Sequence, residues 1–259
     1  MKKLLLLVGL LLFLNSCIPT KDLTYFQGKP INTNTVHKLQ NAPYKLQIND
    51  IIDIKIKATD EELVSMFKIE SATKSPTIGA SQLYFNSYSV NHKGMIRIPY
   101  IGEINVLGYT TKEVRLKIES ELSKMFKNMD ELFVTVKLAG IRFTVLGEIG
   151  SPGTKVLYQN QVNIIEAIAN AGDIPLTGNR KKIEIIRTNI TGITKIELDL
   201  TGFDFMQSDA FYIQPNDVIY IKPLREKSWG TGQTGTKTMS TIITALSLLT
   251  TSIILINRL

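Results

Sequence analysis

The sequence YKLQINDIIDIKIK, residues 44–57, determines how the first folded part of this chain begins. Apolar and polar residues alternate strictly from Ile52 to Lys57, the pattern of a β-strand with one buried face. The Asn49-Asp50 pair stands directly before this run and is typical of a turn. We therefore expect a half-buried strand that starts as the chain leaves a turn.

The residues that follow predict a compact α+β unit over 44–138. A hairpin is expected between strands 88–91 and 95–98, with Gly94 in the tight turn. Thr110 and Glu113 have the spacing of a capping box, which predicts the start of a helix. Its apolar positions at helical spacing are Val114, Ile118, Leu122 and Met125. Further strands are expected at 101–107 and 132–138.

A second small β-rich unit is expected over 139–223, with no obvious linker before it. Its predicted strands are 143–146, 183–187, 193–198 and 217–222, and 147–153 is a turn-rich connection. Asn163 and Glu166 predict a capped helix, and Gly172 is placed to end it. The fold class is therefore α+β, with two β-rich domains in succession.

The N-terminus has the pattern of a lipoprotein signal peptide. Lys2 and Lys3 precede an apolar run too short to span a bilayer, and Leu14-Asn15-Ser16 leads to the single cysteine, Cys17. We expect residues 1–16 to be removed and Cys17 to be lipidated. Residues 17–43 are polar and lack sustained periodicity, so they are interpreted as a lipidated tether.

The C-terminus carries a different membrane signal. Residues 224–237 are interpreted as a flexible linker, and 238–259 as a transmembrane helix of sufficient apolar length. At about 100° per residue, four hydroxyl residues fall in a sector roughly 60° wide. They are Ser240, Thr244, Ser247 and Thr251.

This hydroxyl stripe has two interpretations. In a lone anchor, the hydroxyls bond back to carbonyls of their own helix, which makes the stripe tolerable in lipid. In a ring of helices, the stripe faces a water-filled lumen and the apolar side faces lipid. The sequence favours the ring, because a chain already lipidated at Cys17 needs no second anchor.

Composition limits the partners and the chemistry. The net charge of +7 falls to +5 when Lys2 and Lys3 leave with the signal, and the remaining cations are scattered. Outside the cytoplasm the relevant polyanions are lipid head groups and polysaccharides, so no nucleic-acid partner is expected. No metal-ligand spacing, nucleophile motif or phosphate loop is present, and the Asp50/Asp53 pair is interpreted as structural. We expect no enzymatic activity and no cofactor.

Three segments together resemble a known family. Residues 44–54 are similar to the opening of the polysaccharide biosynthesis/export domain, and 94–104 with 108–110 to its second signature. Residues 145–153 and 167–172 resemble the soluble-ligand-binding β-grasp domain that follows it. The chain is thus similar to the Wza-type outer-membrane polysaccharide export lipoproteins. It has one ligand-binding-type domain where the longest members have two or more.

The resemblance implies a function and partners. Members of the family form homo-oligomeric rings whose C-terminal helices make a barrel in the outer membrane. This chain would then be a passive channel for capsular or exopolysaccharide, lipid-anchored, with most of the chain in the periplasm of a Gram-negative-type cell. An inner-membrane copolymerase, often with a tyrosine kinase, is the implied partner. The alternative is an envelope lipoprotein that binds polysaccharide or another envelope protein without forming a pore.

Overall fold

A computed structural model describes residues 19–28, 43–58, 67, 85–126, 131–189, 191–225, 240, 243–244, 246–248 and 250–251. The described chain is small and β-rich with few helices, in agreement with the expected α+β class. Its buried apolar side chains form two separate clusters. One cluster draws its buried members from Leu46 to Val136, and the other from Ile141 to Ile221.

The first unit is built around strand β1 (Ile51–Ala58), which pairs on both edges. Strand β2 (Tyr88–Ser89) lies antiparallel along its first residues, and β5 (Leu132–Leu138) runs antiparallel along seven of its eight residues. The expected alternation is visible because Ile52 is fully buried, whereas Lys55 and Lys57 are exposed. A second ladder joins β3 (Met95–Ile98) to β4 (Gly102–Asn105).

The turn predicted at Gly94 is present, because the Asn91 N–H donates to the Met95 carbonyl at 2.9 Å and Gly94 has a φ of 76°. The predicted pairing of strands 88–91 and 95–98 with each other is wrong. The Asn91 side chain accepts hydrogen bonds from the N–H groups of Lys93 and Met95, at 2.9 and 3.0 Å. This makes a local side-chain turn, after which β3 pairs with β4 and β2 stays with β1. The chain reverses between β3 and β4 at Tyr100, whose φ is 63°. The expected strand 101–107 is accordingly shortened to β4.

Helix α1 (Thr111–Leu122) begins as predicted. The Thr110 hydroxyl accepts from the Glu113 N–H, and the Glu113 carboxylate accepts from the Thr110 N–H, so the capping box is confirmed. Three of the four predicted apolar positions are fully buried against the first cluster: Val114, Ile118 and Leu122. Met125 is the exception. The helix ends at Leu122, so Met125 leaves the buried face and Phe126 packs against the cluster instead.

The second unit is a mixed five-stranded sheet in the order β10-β9-β12-β6-β7. Its strands are β6 (Ile141–Gly147), β7 (Gly153–Leu157), β9 (Gly178–Asn189), β10 (Gly192–Leu198) and β12 (Val218–Pro223). Only the β12–β6 pair is parallel. A two-stranded ladder joins β8 (Val162–Asn163) to β11 (Tyr212–Ile213). The sequence patterns did not indicate β7, β8 or β11.

Helix α2 (Ile164–Asn170) lies between β8 and β9 and covers the core of this unit. Asn163 and Glu166 form the predicted capping box, and Gly172, at φ 86°, follows the C-cap as expected. The loop after β6 packs closely against this helix end, because the Gly150 N–H donates to the Asp173 carbonyl at 2.9 Å. A Cβ on Gly150 would lie 2.2 Å from the Gly172 carbonyl oxygen, so this approach requires glycine.

Residues 19–28, within the predicted tether, pack on the second unit and are called the strap here. Asp22 pairs with Lys181 at 2.5 Å, and the Tyr25 hydroxyl donates to Asp173 at 2.6 Å. The N–H groups of Phe26 and Gln27 donate to the carbonyls of Leu200 and Thr201. The Phe26 ring also contacts the rings of Phe203 and Phe205. This part of the predicted tether is therefore attached to the second unit.

Candidate functional site

Two copies of one short motif meet where the two units join. The first is Gln47-Ile48-Asn49-Asp50 before β1, and the second is Gln214-Pro215-Asn216-Asp217 before β12. In each copy the aspartate carboxylate accepts from the glutamine N–H, at 2.8 and 2.9 Å. In each copy the aspartate N–H returns to the glutamine carbonyl, at 3.2 Å in both. Asn49 and Asn216 both take the left-handed conformation, at φ 69° and 67°.

The shared geometry has a local cause. An aspartate side chain that bonds to a backbone N–H three residues earlier closes a tight turn, and asparagine tolerates the left-handed φ the turn requires. The apolar strand residues that follow then enter the core. Sequence reasoning noted the first Asn-Asp pair as a turn but missed that the four-residue motif repeats.

The second aspartate is fully satisfied by a cation. Asp217 is 1% exposed and forms a bidentate ion pair with Arg187 on β9, with the shortest distance 2.8 Å. The same guanidinium also donates to the carbonyls of Asp209 and Tyr212. Such bidentate pairs combine charge with fixed geometry, so this cluster holds β9, β11 and the motif together.

Among the described residues, the first aspartate has no such cation. Asp50 is 2% exposed, and its Oδ2 accepts from the Tyr44 hydroxyl at 2.7 Å as well as from Gln47. Burial raises the pKa of Asp50 to about 6, although the Gln47 N–H and the Tyr44 hydroxyl favour its ionised form. Burial also raises the pKa of Tyr44, so its hydroxyl stays protonated as a donor. Asp50 Oδ1 has no hydrogen-bond partner within the described ranges.

A pocket of about 180 Å³ lies between the two turns. Asn49, Asp50 and Ile51 line it from the first motif, and Pro215 and Asn216 line it from the second. Arg142 on β6 and Tyr158 after β7 contribute from the second unit. Only Ala139 and Gly140 separate β5 from β6, in agreement with the prediction that no linker divides the two units. The pocket therefore lies at the joint between them.

The hydroxyl residues predicted to line a pore are helical where the structure describes them. Thr244 donates to the Ser240 carbonyl at 2.7 Å, Ser247 to Thr244 at 2.8 Å, and Thr251 to Ser247 at 2.7 Å. Thr250, absent from the predicted stripe, bonds back in the same way. These bonds satisfy the hydroxyl donors inside the helix, so the stripe is compatible with both interpretations.

The structure does not test two predicted features, the lipidation site and the transmembrane helix. Cys17 is outside the described residues, and so is most of 238–259. Among the described residues, no helix is long and apolar enough to be a membrane-span candidate. The lipidation site and the transmembrane helix therefore stay predictions.

The acidic pair weighed above and two other reactive side chains lie in ordinary structural or exposed positions. Asp50 closes its turn as described above, whereas Asp53 pairs with Lys55 at 3.2 Å on the open face of β1. The Ser151 hydroxyl accepts from the Lys155 ammonium at 2.9 Å, in an exposed position. His92 is exposed in the turn before β3. The described residues contain no group of three or more side chains suited to hold a metal.

Comparisons with known proteins find similarity to proteins of polysaccharide export and exopolysaccharide production. Residues 38–139 match the family model described as Polysaccharide biosynthesis/export protein. The EPS I polysaccharide export outer membrane protein EpsA of Ralstonia nicotianae is 27% identical over 149 residues, covering 56% of this chain and 39% of that protein. Its namesake in Ralstonia solanacearum is 26% identical over 155 residues with the same coverage. The Exopolysaccharide production protein ExoF of Rhizobium meliloti is 25% identical over 112 residues, covering 43% of this chain and 26% of that protein. The matches thus span less than half of each relative.

Proposed function

We propose that this chain takes part in exporting exopolysaccharide across the outer membrane. Its resemblance to the polysaccharide export proteins is confirmed by the match over residues 38–139 and by its named relatives. The observation that carries the proposal is that the matched region contains the first Gln-Ile-Asn-Asp turn, β1 and the whole first core. The relatives in Ralstonia are named as export proteins of the outer membrane, and that location is proposed here as well.

The finer proposal is an oligomeric, passive channel. Residues 44–138 act as the export domain and 139–223 as a ligand-binding-type domain, and a linker at 224–237 leads to a membrane helix at 238–259. Copies of that helix surround a lumen with Ser240, Thr244, Ser247 and Thr251 on the inner face. One-sided placement of these hydroxyls supports the arrangement, because a helix exposed to lipid on all sides has no use for a polar face.

The strap supports a lipid anchor beside the second unit. The proposed lipidation site, Cys17, is two residues from Pro19, where the described strap begins. A diacylglycerol on Cys17 therefore cannot lie far from β9, to which Asp22 is tied through Lys181. In this proposal the second unit lies nearer the membrane, and the copolymerase partner meets the export domain.

The runner-up is a lipoprotein binding module that forms no pore. Both proposals include contact with polysaccharide and neither includes catalysis, so they differ in the C-terminal helix and in assembly. If the chain forms a channel, we expect the full mature chain to assemble into a high-mass ring in mild detergent. A monomer by native mass spectrometry, under conditions that preserve known rings, would favour the module.

Single cysteines in the C-terminal segment test the channel directly. With Cys17 lipidated in the full chain, Thr244→Cys and Ser247→Cys should react with a membrane-impermeant thiol reagent, because they face water. Leu246→Cys is the matched control and should be protected by lipid. The Thr244→Leu/Ser247→Leu double variant should still insert, since it is more apolar, and should reduce export by crowding the lumen.

The two proposals give opposite results in this scan. A lone anchor predicts protection at all three positions and normal export by the leucine pair. Equal reaction at all three positions would mean that the segment does not span the bilayer.

A further inference from the structure

The pocket between the two turns combines features of a small-molecule site. It lies at a junction of two units, where such sites are frequent, and is several times larger than the roughly 10–15 Å³ that one water needs. Apolar side chains from both units form most of its wall, among them Ile51, Val156 and Pro215. A ligand there would touch both domains at once.

Polar groups with unused hydrogen-bonding capacity surround this apolar wall. The guanidinium of Arg142 and the side-chain amides of Asn49 and Asn216 make no hydrogen bond to the described part of the chain. Three polar side chains with unused hydrogen-bonding groups therefore stand around one cavity.

An aromatic ring completes the set. Tyr158 lines the pocket with 57% of its surface exposed, so its ring is available to a ligand. The pyranose ring of a sugar has an apolar C–H face that packs on such a ring. Its edge carries hydroxyls that both donate and accept, so they can pair with the Arg142 guanidinium and with the two asparagine amides.

We propose that this pocket is a sugar-binding subsite for one pyranose residue of the exported glycan. It rests on the proposed function for the identity of the glycan. The sugar hydroxyls accept from Arg142 and exchange hydrogen bonds with the side-chain amides of Asn49 and Asn216, while Tyr158 covers the apolar face. Because the ligand contacts both motifs, its binding also fixes the two units relative to each other.

The chain offers variants that leave the fold intact. Tyr158→Ala removes an exposed ring. Asn49→Gly and Asn216→Gly remove the two amides while keeping the left-handed backbone, which glycine adopts without cost from a side chain. Phe133→Ala is the matched control, since Phe133 is also an exposed aromatic, 66% exposed on β5, and lies outside the pocket.

Saturation-transfer NMR on the full mature chain in detergent tests the proposal. The probes are the methyl glycosides of glucose, galactose, mannose and N-acetylglucosamine, together with oligosaccharides from partial hydrolysis of the host's own exopolysaccharide. At least one probe should bind wild type. Tyr158→Ala should weaken that binding about two- to tenfold, and the double asparagine variant at least as much, with no change in Phe133→Ala.

Failure of the subsite and failure of the proposed function are separable. Binding that is equal in wild type, Tyr158→Ala and the double variant, or no binding of any probe by wild type, overturns the subsite. A deletion strain that still exports its polysaccharide overturns the proposed function. If deletion stops export and all variants bind like wild type, the function stands and the pocket assignment falls.

Discussion

At the scale of single residues, the two buried aspartates of the repeated motif are compensated for burial by different partners. Each closes its turn by accepting from a glutamine N–H, and each must be compensated for the loss of water. Asp217 receives a guanidinium from Arg187, and Asp50 receives only the neutral hydroxyl of Tyr44. Burial raises the pKa of both carboxyls, and Arg187 opposes this rise at Asp217, so pH should affect the stability of the first turn more strongly.

The sign follows from the pKa of Asp50, which is about 6 in the folded chain against an ordinary value of 3.8. Between these two pH values the folded state binds more protons than the unfolded state, so the stability due to Asp50 increases as pH falls through this range. Above the folded pKa this contribution is absent.

We predict that Asp50→Asn removes this dependence. From about pH 7 to about pH 5, wild type should gain about 1 kcal/mol relative to the variant, measured from unfolding midpoints of the full chain. Asp53→Asn, which changes the partly exposed neighbour on β1, is the control for general pH effects. A gap between wild type and Asp50→Asn that stays constant with pH would contradict the assignment.

At the scale of elements, local chemistry accounts for where the helices begin. In α1 and α2 alike, the N-cap side chain and the third residue of the helix exchange hydrogen bonds with each other's backbone N–H. These donors have no partner within the helix, so the cap supplies what the helix cannot.

For α1 we predict that Thr110→Ala costs about 1 kcal/mol of unfolding free energy, since it removes the acceptor for the Glu113 N–H. Thr111→Ala, one residue further on, is the matched control because Thr111 makes no capping bond. Chemical denaturation of both variants would compare them, and equal losses would show that the cap does not determine this helix start.

At the scale of the whole molecule, the strap links the N-terminus to the second unit across a long sequence separation. Burial raises the pKa of Tyr25, so its hydroxyl remains a donor to Asp173, and Arg180 lies over its ring. The polar pattern of the strap predicted a tether. The contacts of the strap could not be seen in this pattern because its partners are more than a hundred residues away in sequence.

We expect Tyr25→Ala to release the strap and to speed tryptic cleavage after Lys21. Tyr25→Phe removes only the hydroxyl bond to Asp173, of order 1 kcal/mol, and should give a smaller increase. Mass spectrometry of timed digests of the full chain would measure both. Cleavage after Lys21 in wild type as fast as in Tyr25→Ala would show that the strap is not held in solution.

The sequence by itself determined the local features of this protein. Strict alternation predicted β1 and β5, the capping boxes predicted the starts of α1 and α2, and Gly172 predicted the end of α2. Each depends on contacts within a few residues, so the residue pattern contains the necessary information. The resemblance over 44–54 and 94–104 likewise needed only the order of residues.

Tertiary structure decided which distant residues meet. It paired β3 with β4 and left β2 on β1, placed the strap on the second unit, and brought the Asn49 and Asn216 turns to one pocket. Such choices depend on how two cores close around each other and on which buried groups then find partners. A sequence read along the chain shows the turn at Asp50, but only the folded joint shows that its Oδ1 has no donor among the described residues.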